Sequence, residues 1–225
     1  MTIASNLEMV RERVARAAQG VGRAADDVRL VAVSKGQPIA SIEEAIAAGQ
    51  IEFAENRVHE LVEKRRDLGS GPTWHFVGQI QRNKVPELVS SADYIHSIDR
   101  IEVVREIDER AQIPKMVMIQ VGFDGQAGRG GVVPDSLAAL LEGTLASERV
   151  ELVGLMAMAP RGAVPEDARP FFRRLASLRS AMEARFPEAK LQHLSMGMSQ
   201  DYEVAVEEGA TMVRVGEAIF GPRPR

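Results

Sequence analysis

Eight short apolar runs recur along this chain, at 28–33, 51–56, 73–78, 94–99, 115–121, 150–158, 191–197 and 211–216. Between them lie stretches with helical spacing, at 38–49, 57–68, 81–91, 100–111, 134–147, 165–186 and 199–210. Near-continuous apolar runs fit strands covered on both faces. Strands joined through helices run parallel, and their crossovers are right-handed. Eight such units in 225 residues predict an α/β protein, with residues 1–225 forming a single (β/α)8 TIM barrel domain. An open doubly wound sheet is the alternative, because pattern alone does not establish closure. Ahead of the first strand, Ile3, Leu7, Val10, Val14 and Ala17 make one apolar stripe, so an extra N-terminal helix is expected.

The totals narrow the partners. A net charge of −4 favours neither nucleic acid nor an anionic membrane. The chain has no cysteine, which rules out disulfides, thiolate metal sites and a cysteine nucleophile. It also fits a reducing compartment. No segment is long and apolar enough to span a bilayer, and the N-terminus lacks a cleavable leader pattern. The expectation is a cytoplasmic monomer. The four histidines, His59, His75, His96 and His193, form no metal-binding pair, and those inside strands read as core histidines.

In such barrels functional groups lie just after the C-terminal ends of the strands. Lys35 follows the first run; Glu55 and Asn56 end the second. Gly78, Gln79 and Lys84 follow the third, and Asp99 ends the fourth. A glycine-rich loop, 122–131, follows the fifth. The loops after strands 7 and 8 are the usual phosphate site of this architecture, and here they carry Ser195, Gly197, Ser199 and Gly216. Glycine lets backbone N–H groups approach an anion. Turn chemistry and helix capping would explain the same residues singly, but the two segments in register favour the phosphate reading.

A lysine at a barrel mouth, partly desolvated, has a lowered pKa and some neutral amine. A neutral amine condenses with an aldehyde. Lys35 facing a phosphate pocket therefore suggests a phosphorylated aldehyde: pyridoxal 5′-phosphate, or a sugar phosphate handled by a Schiff-base lyase. Arg214, two residues before Gly216, would need a partner if it pointed inward. A strand-end acid would serve. A pyridine nitrogen would also serve, and arginine would leave that nitrogen unprotonated.

The segments VAVSK, FAENRVHEL, WHFVGQIQRNK, IHSIDR, GLMAM, LSMGMSQDYEVAV and MVRVGEAIFGPR, in that order, resemble the pyridoxal phosphate homeostasis proteins, relatives of the barrel domain of alanine racemase. The resemblance covers nearly the whole chain. It implies a fold-type III barrel that holds pyridoxal phosphate as a lysine aldimine on Lys35. It implies phosphate contacts from Ser195 and Met196 after strand 7 and Gly216 after strand 8, Arg214 near the pyridine nitrogen, and Asn56 lining the site. Two positions depart from the family: Ala54 where glycine is usual, and Gly36 where threonine is frequent. The 122–131 loop is a loose version of its counterpart, and no role is carried over to it.

A racemase needs acid/base groups on both faces of the substrate α-carbon. In the racemases the second is a tyrosine of a separate domain, whereas here the only tyrosines are Tyr94, within strand 4, and Tyr202, in a helix. The resemblance and the chemistry therefore imply a carrier without substantial catalysis and without catalytic residues. It would buffer pyridoxal phosphate or deliver it to apo enzymes. A racemase-like enzyme or a lyase acting on a phosphorylated aldehyde is the alternative, kept open by Glu55, Lys84 and Asp99.

Overall fold

The computed structural model describes residues 2–123, 130–160 and 164–222. Most of the 122–131 loop lies outside the described residues.

Eight parallel strands run in sequence order around a closed barrel. They are β1 (Arg29–Val33), β2 (Glu52–Glu55), β3 (Thr73–Phe76), β4 (Tyr94–Ile98), β5 (Lys115–Gln120), β6 (Val150–Met156), β7 (His193–Ser195) and β8 (Met212–Val215). Closure comes from β1 and β8, where Val31 pairs with Arg214 and Ala32 with Val215. The open sheet is thereby set aside. Each strand falls within its expected run, shortened at one or both ends. The largest trimming is at β7, where the chain leaves the sheet for a turn at Gly197 (φ +92°).

Among the described residues, seven α-helices follow β1 to β7: α2 (Ile39–Ala47), α3 (Val58–Leu68), α4 (Val85–Ser91), α5 (Ile101–Arg110), α6 (Pro134–Leu145), α7 (Arg169–Arg185) and α8 (Tyr202–Glu207). Pro86, Pro134 and Pro170 each sit in a first helical turn, where the missing N–H costs nothing. Among the described residues β8 is followed by a four-residue helix, α9 (Glu217–Phe220), which the apolar pattern did not reveal. The N-terminal helix α1 (Ile3–Gly20) buries Leu7, Val10, Val14, Ala17 and Ala18. Its Asn6 Nδ2 donates to the Ile219 carbonyl of α9 (2.9 Å), and its Ile3 N–H to Glu44 Oε1 of α2 (3.0 Å). Arg13 pairs with Glu203 of α8 at 2.5 Å. The extra helix thus covers the β8–β1 seam that the short α9 leaves bare.

Side chains alternate across each strand. The outward set, including Ala32, Phe53, Trp74, Phe76, Ile95 and Val213, belongs to the core between sheet and helices. The inward set includes Val31, Ala54, Tyr94, Met118, Met156 and Met212. The same parity carries past the strand ends and decides which functional groups reach the barrel axis.

Candidate functional site

Val31 and Val33 pack with the inward cluster, so Lys35, two residues on, continues that face. Its neighbours fix the turn. Ser34 is buried on the outer side, where its Oγ donates to Glu55 Oε1 (2.7 Å) and its carbonyl accepts from Lys64 Nζ (2.7 Å). Lys64 Nζ also bonds Glu55 Oε1 at 2.6 Å. Gly36 N–H donates to Glu60 Oε2 at 2.7 Å. Burial raises the Glu55 carboxyl, against the pull of Lys64. Glu60 ends below the usual carboxylate range, because the Gly36 N–H, Lys64 and Arg57 outweigh its partial burial. Lys64 and Glu60 of α3 therefore hold the backbone on both sides of Lys35, and Glu55 of β2 holds the Ser34 side chain.

Lys35, Asn56, Gln79, Gln120, Arg214 and Gly216 all line one cavity of about 770 Å³ at the C-terminal mouth of the barrel. Arg214 is only 4% exposed. Its Nη1 donates to Ser195 Oγ (2.5 Å) and its Nη2 to the Ala157 carbonyl (3.0 Å). Among the described residues no carboxylate forms an ion pair with it, and the strand-end acid is not its partner. Burial pushes its pKa down to about 10, which leaves it a cation at neutral pH. The rest of its five N–H donors make no hydrogen bond among the described residues.

On the side of strands 7 and 8, Met198, Ser199, Gly216 and Glu217 line the cavity. The backbone N–H groups of Gly216 and Ala218 both point at Ser199 Oγ, at 3.3 Å each. A Cβ on Gly216 would come within 3.0 Å of the Val33 carbonyl oxygen, so glycine lets this segment lie against β1. The turn before it is held by Asp201, whose Oδ1 accepts the Met198 N–H at 2.6 Å. Burial raises the Asp201 carboxyl, opposed by that N–H and by Arg214. The Ser199 hydroxyl, with its own proton free to turn toward the cavity, and the Gly216 backbone beside it are groups that suit an anion's oxygens. With an amine at Lys35 and a buried cationic donor at Arg214, the residues present fit a phosphorylated aldehyde with a ring acceptor.

Four of the six expected residues, Lys35, Asn56, Arg214 and Gly216, meet around this cavity; Ser195 and Met196 do not line it. Ser195 ends β7 facing inward, but its hydroxyl is engaged by Arg214 and by His96 Nδ1 (2.8 Å). Met196 takes the opposite parity and is buried with the outer core. Strand alternation itself was the signal: adjacent residues of a strand cannot both face the axis. Ser199, four residues on from Ser195, does line the cavity. Asp201, Gln37 and Gln120 line the cavity without having been singled out.

Glu55 points away from the cavity to Lys64, and Lys84 pairs with Glu87 on the outside (2.9 Å). Asp99 pairs with Arg100 at 2.6 Å. Neither tyrosine lines the cavity. Tyr94 OH accepts from Arg29 Nη1 (3.0 Å), at the opposite end of β1 from Lys35. Tyr202 is buried in the helical layer, with Arg13 of α1 5.6 Å from its ring centroid.

The family model for the alanine racemase N-terminal domain matches residues 5–224. The pyridoxal phosphate homeostasis protein of Aquifex aeolicus is 41% identical over 227 residues, 99% of each chain. That of Escherichia coli is 38% identical, covering 98% of this chain and 97% of its own. Among solved structures, PipY of Synechococcus elongatus with pyridoxal phosphate bound superposes with a TM-score of 0.88 at 34% identity, over 98% of this chain and all of that one. Alanine racemase from Corynebacterium glutamicum shares the fold at TM-score 0.69 and 17% identity, and this chain covers 61% of it. This chain belongs to the pyridoxal phosphate homeostasis proteins, within the alanine racemase N-terminal domain family.

Proposed function

We propose that the protein binds pyridoxal 5′-phosphate and serves its homeostasis, holding the cofactor and releasing it to apo enzymes. The observation that carries this is the sharing of one cavity by Lys35, Arg214 and the Ser199–Gly216 cup. The Lys35 amine would join the cofactor aldehyde as an imine with release of water. Arg214 would donate to the ring nitrogen, and the cup would take the phosphate. PipY, 34% identical, has been solved with the same cofactor.

A carrier reading is favoured over an enzyme by the company Lys35 keeps. Neither tyrosine lines the cavity, and the acids that would assist a lyase, Glu55 and Asp99, are engaged with Lys64 and Arg100. A cationic arginine at the ring nitrogen would also make the bound cofactor a poor electron sink. The test is transfer: load the protein, mix it with the apo form of a pyridoxal enzyme, and follow the loss of its visible band against the gain of acceptor activity. Racemisation or cleavage of a free amino acid at ordinary enzyme rates, abolished by Lys35→Ala, would overturn the carrier reading.

A further inference from the structure

A file of polar groups runs through the barrel beneath the cavity. Arg214 Nη1 donates to Ser195 Oγ. Ser195 Oγ lies 2.8 Å from His96 Nδ1, and His96 Nε2 lies 2.8 Å from His75 Nδ1. His75 Nε2 then faces Glu52 Oε2 at 3.6 Å. Glu52 Oε1 is held by Arg29, from Nε at 2.7 Å and Nη2 at 2.6 Å. Tyr94 receives the remaining arm of Arg29 and stacks on His75, with ring centroids 4.6 Å apart and 7° between planes. The file joins strands β8, β7, β4, β3, β2 and β1.

We propose that this file is a one-way hydrogen-bonded wire that positions Arg214 as a fixed donor toward the ligand, with Ser195, His96, His75 and Glu52 as positioning residues. Both ends set its direction. Arginine has donors only and a carboxylate has acceptors only. Ser195 therefore accepts from Arg214, and in this order its own proton goes to His96 Nδ1. His96 then carries its proton on Nε2 and gives it to His75 Nδ1. His75 in turn carries its proton on Nε2 and aims it at Glu52. The reverse order would set a bare His75 Nε2 against the Glu52 carboxylate and leave the Ser195 proton without this acceptor. The chosen order points the His75 Nε2 proton toward Glu52 Oε2, 3.6 Å away; neither of these buried atoms has a hydrogen bond, and the acceptor end of the file is an electrostatic contact rather than a closed bond. Both histidines are wholly buried. Burial first, then nearby cations and histidines, push His75 down to about 3 and His96 well below its ordinary value. They stay neutral, as the wire requires.

The tautomers belong to the chain alone; only the identity of what Arg214 meets rests on the cofactor reading. Long-range ¹⁵N–¹H NMR on protein free of cofactor should find His75 and His96 both protonated on Nε2 at neutral pH. A proton on Nδ1 of either would overturn the wire. On protein loaded with ¹⁵N-labelled pyridoxal phosphate, Ser195→Ala should move the ring-nitrogen resonance while leaving the ³¹P resonance in place. Affinity should fall about tenfold, the size expected for one lost hydrogen bond to a charged group. Ser195→Thr, which keeps the hydroxyl, should restore the ring-nitrogen shift. The opposite pattern, a moved ³¹P resonance and an unmoved ring nitrogen, would make Ser195 a phosphate ligand and overturn its positioning role. Failure of the unmodified protein to take up pyridoxal phosphate would overturn the cofactor reading, while the tautomers would still decide the wire.

Discussion

Lys64 Nζ lies 2.6 Å from Glu55 Oε1, and both side chains are buried directly behind the turn that presents Lys35. The ammonium also bonds the Ser34 carbonyl, so the pair is part of the backbone support of the site. Lys64→Met would leave Glu55 buried without its counter-charge, at a cost of about 3–5 kcal/mol. Replacing both, as Lys64→Met with Glu55→Leu, should recover most of that stability in urea unfolding. It should still slow the reaction of Lys35 with pyridoxal phosphate, because Ser34 is no longer tied down. A double variant that loads at the unmodified rate would show that the turn needs no such support.

Lys35→Ala should abolish the visible band and any borohydride-fixed adduct, while melting near the unmodified temperature, since the change lies at the cavity and outside the core. Peptide mapping of the reduced, loaded protein should place the adduct on Lys35. Finding it on Lys84 or Lys64 would displace the first strand from its role.

Pyridoxal without its phosphate should bind much less well than pyridoxal 5′-phosphate, because charge-assisted bonds contribute roughly twice what neutral ones do. Ser199→Ala should weaken phosphate binding only in part, since the Gly216 and Ala218 N–H groups remain. Gly216→Ala should weaken it more, by pressing a methyl group toward the Val33 carbonyl. Equal affinity for the two vitamers would rule out the cup.

Stability should fall in mild acid. An unfolded histidine takes up its proton near its ordinary value of 6.5, whereas His75 does so only at about 3, and His96 is also shifted far down. Between those values the unfolded chain binds more protons, so stability rises with pH, is fully present above the ordinary value, and is lost as pH falls. Two such groups give a slope approaching about 2.7 kcal/mol per pH unit. Glu55, raised by burial, acts with the opposite sign and reduces the net slope. Urea midpoints at pH 7 and 5.5 measure it, and His96→Gln should remove about one proton's share. A His96→Gln profile with the same slope as the unmodified protein would mean that His96 is protonated in the folded state.

Strand and helix order, the parallel barrel, the N-terminal helix and the place of Lys35, Asn56, Arg214 and Gly216 at the mouth were legible in the chain. They follow from local periodicity and from the rule that function gathers at strand ends. The alternation within LSMGMS already separates Ser195 from Met196, because a strand turns successive side chains to opposite faces. What pattern could not supply is which groups finally meet. Sequence alone does not show that Ser195 Oγ meets Arg214, nineteen residues on, and Glu55 reads as a mouth residue until Lys64 draws it outward. His75 and His96 read as separate core histidines until closure brings β3, β4, β7 and β8 around one axis. A buried polar group must find its partner across the barrel, and only the tertiary structure decides which strand brings it there.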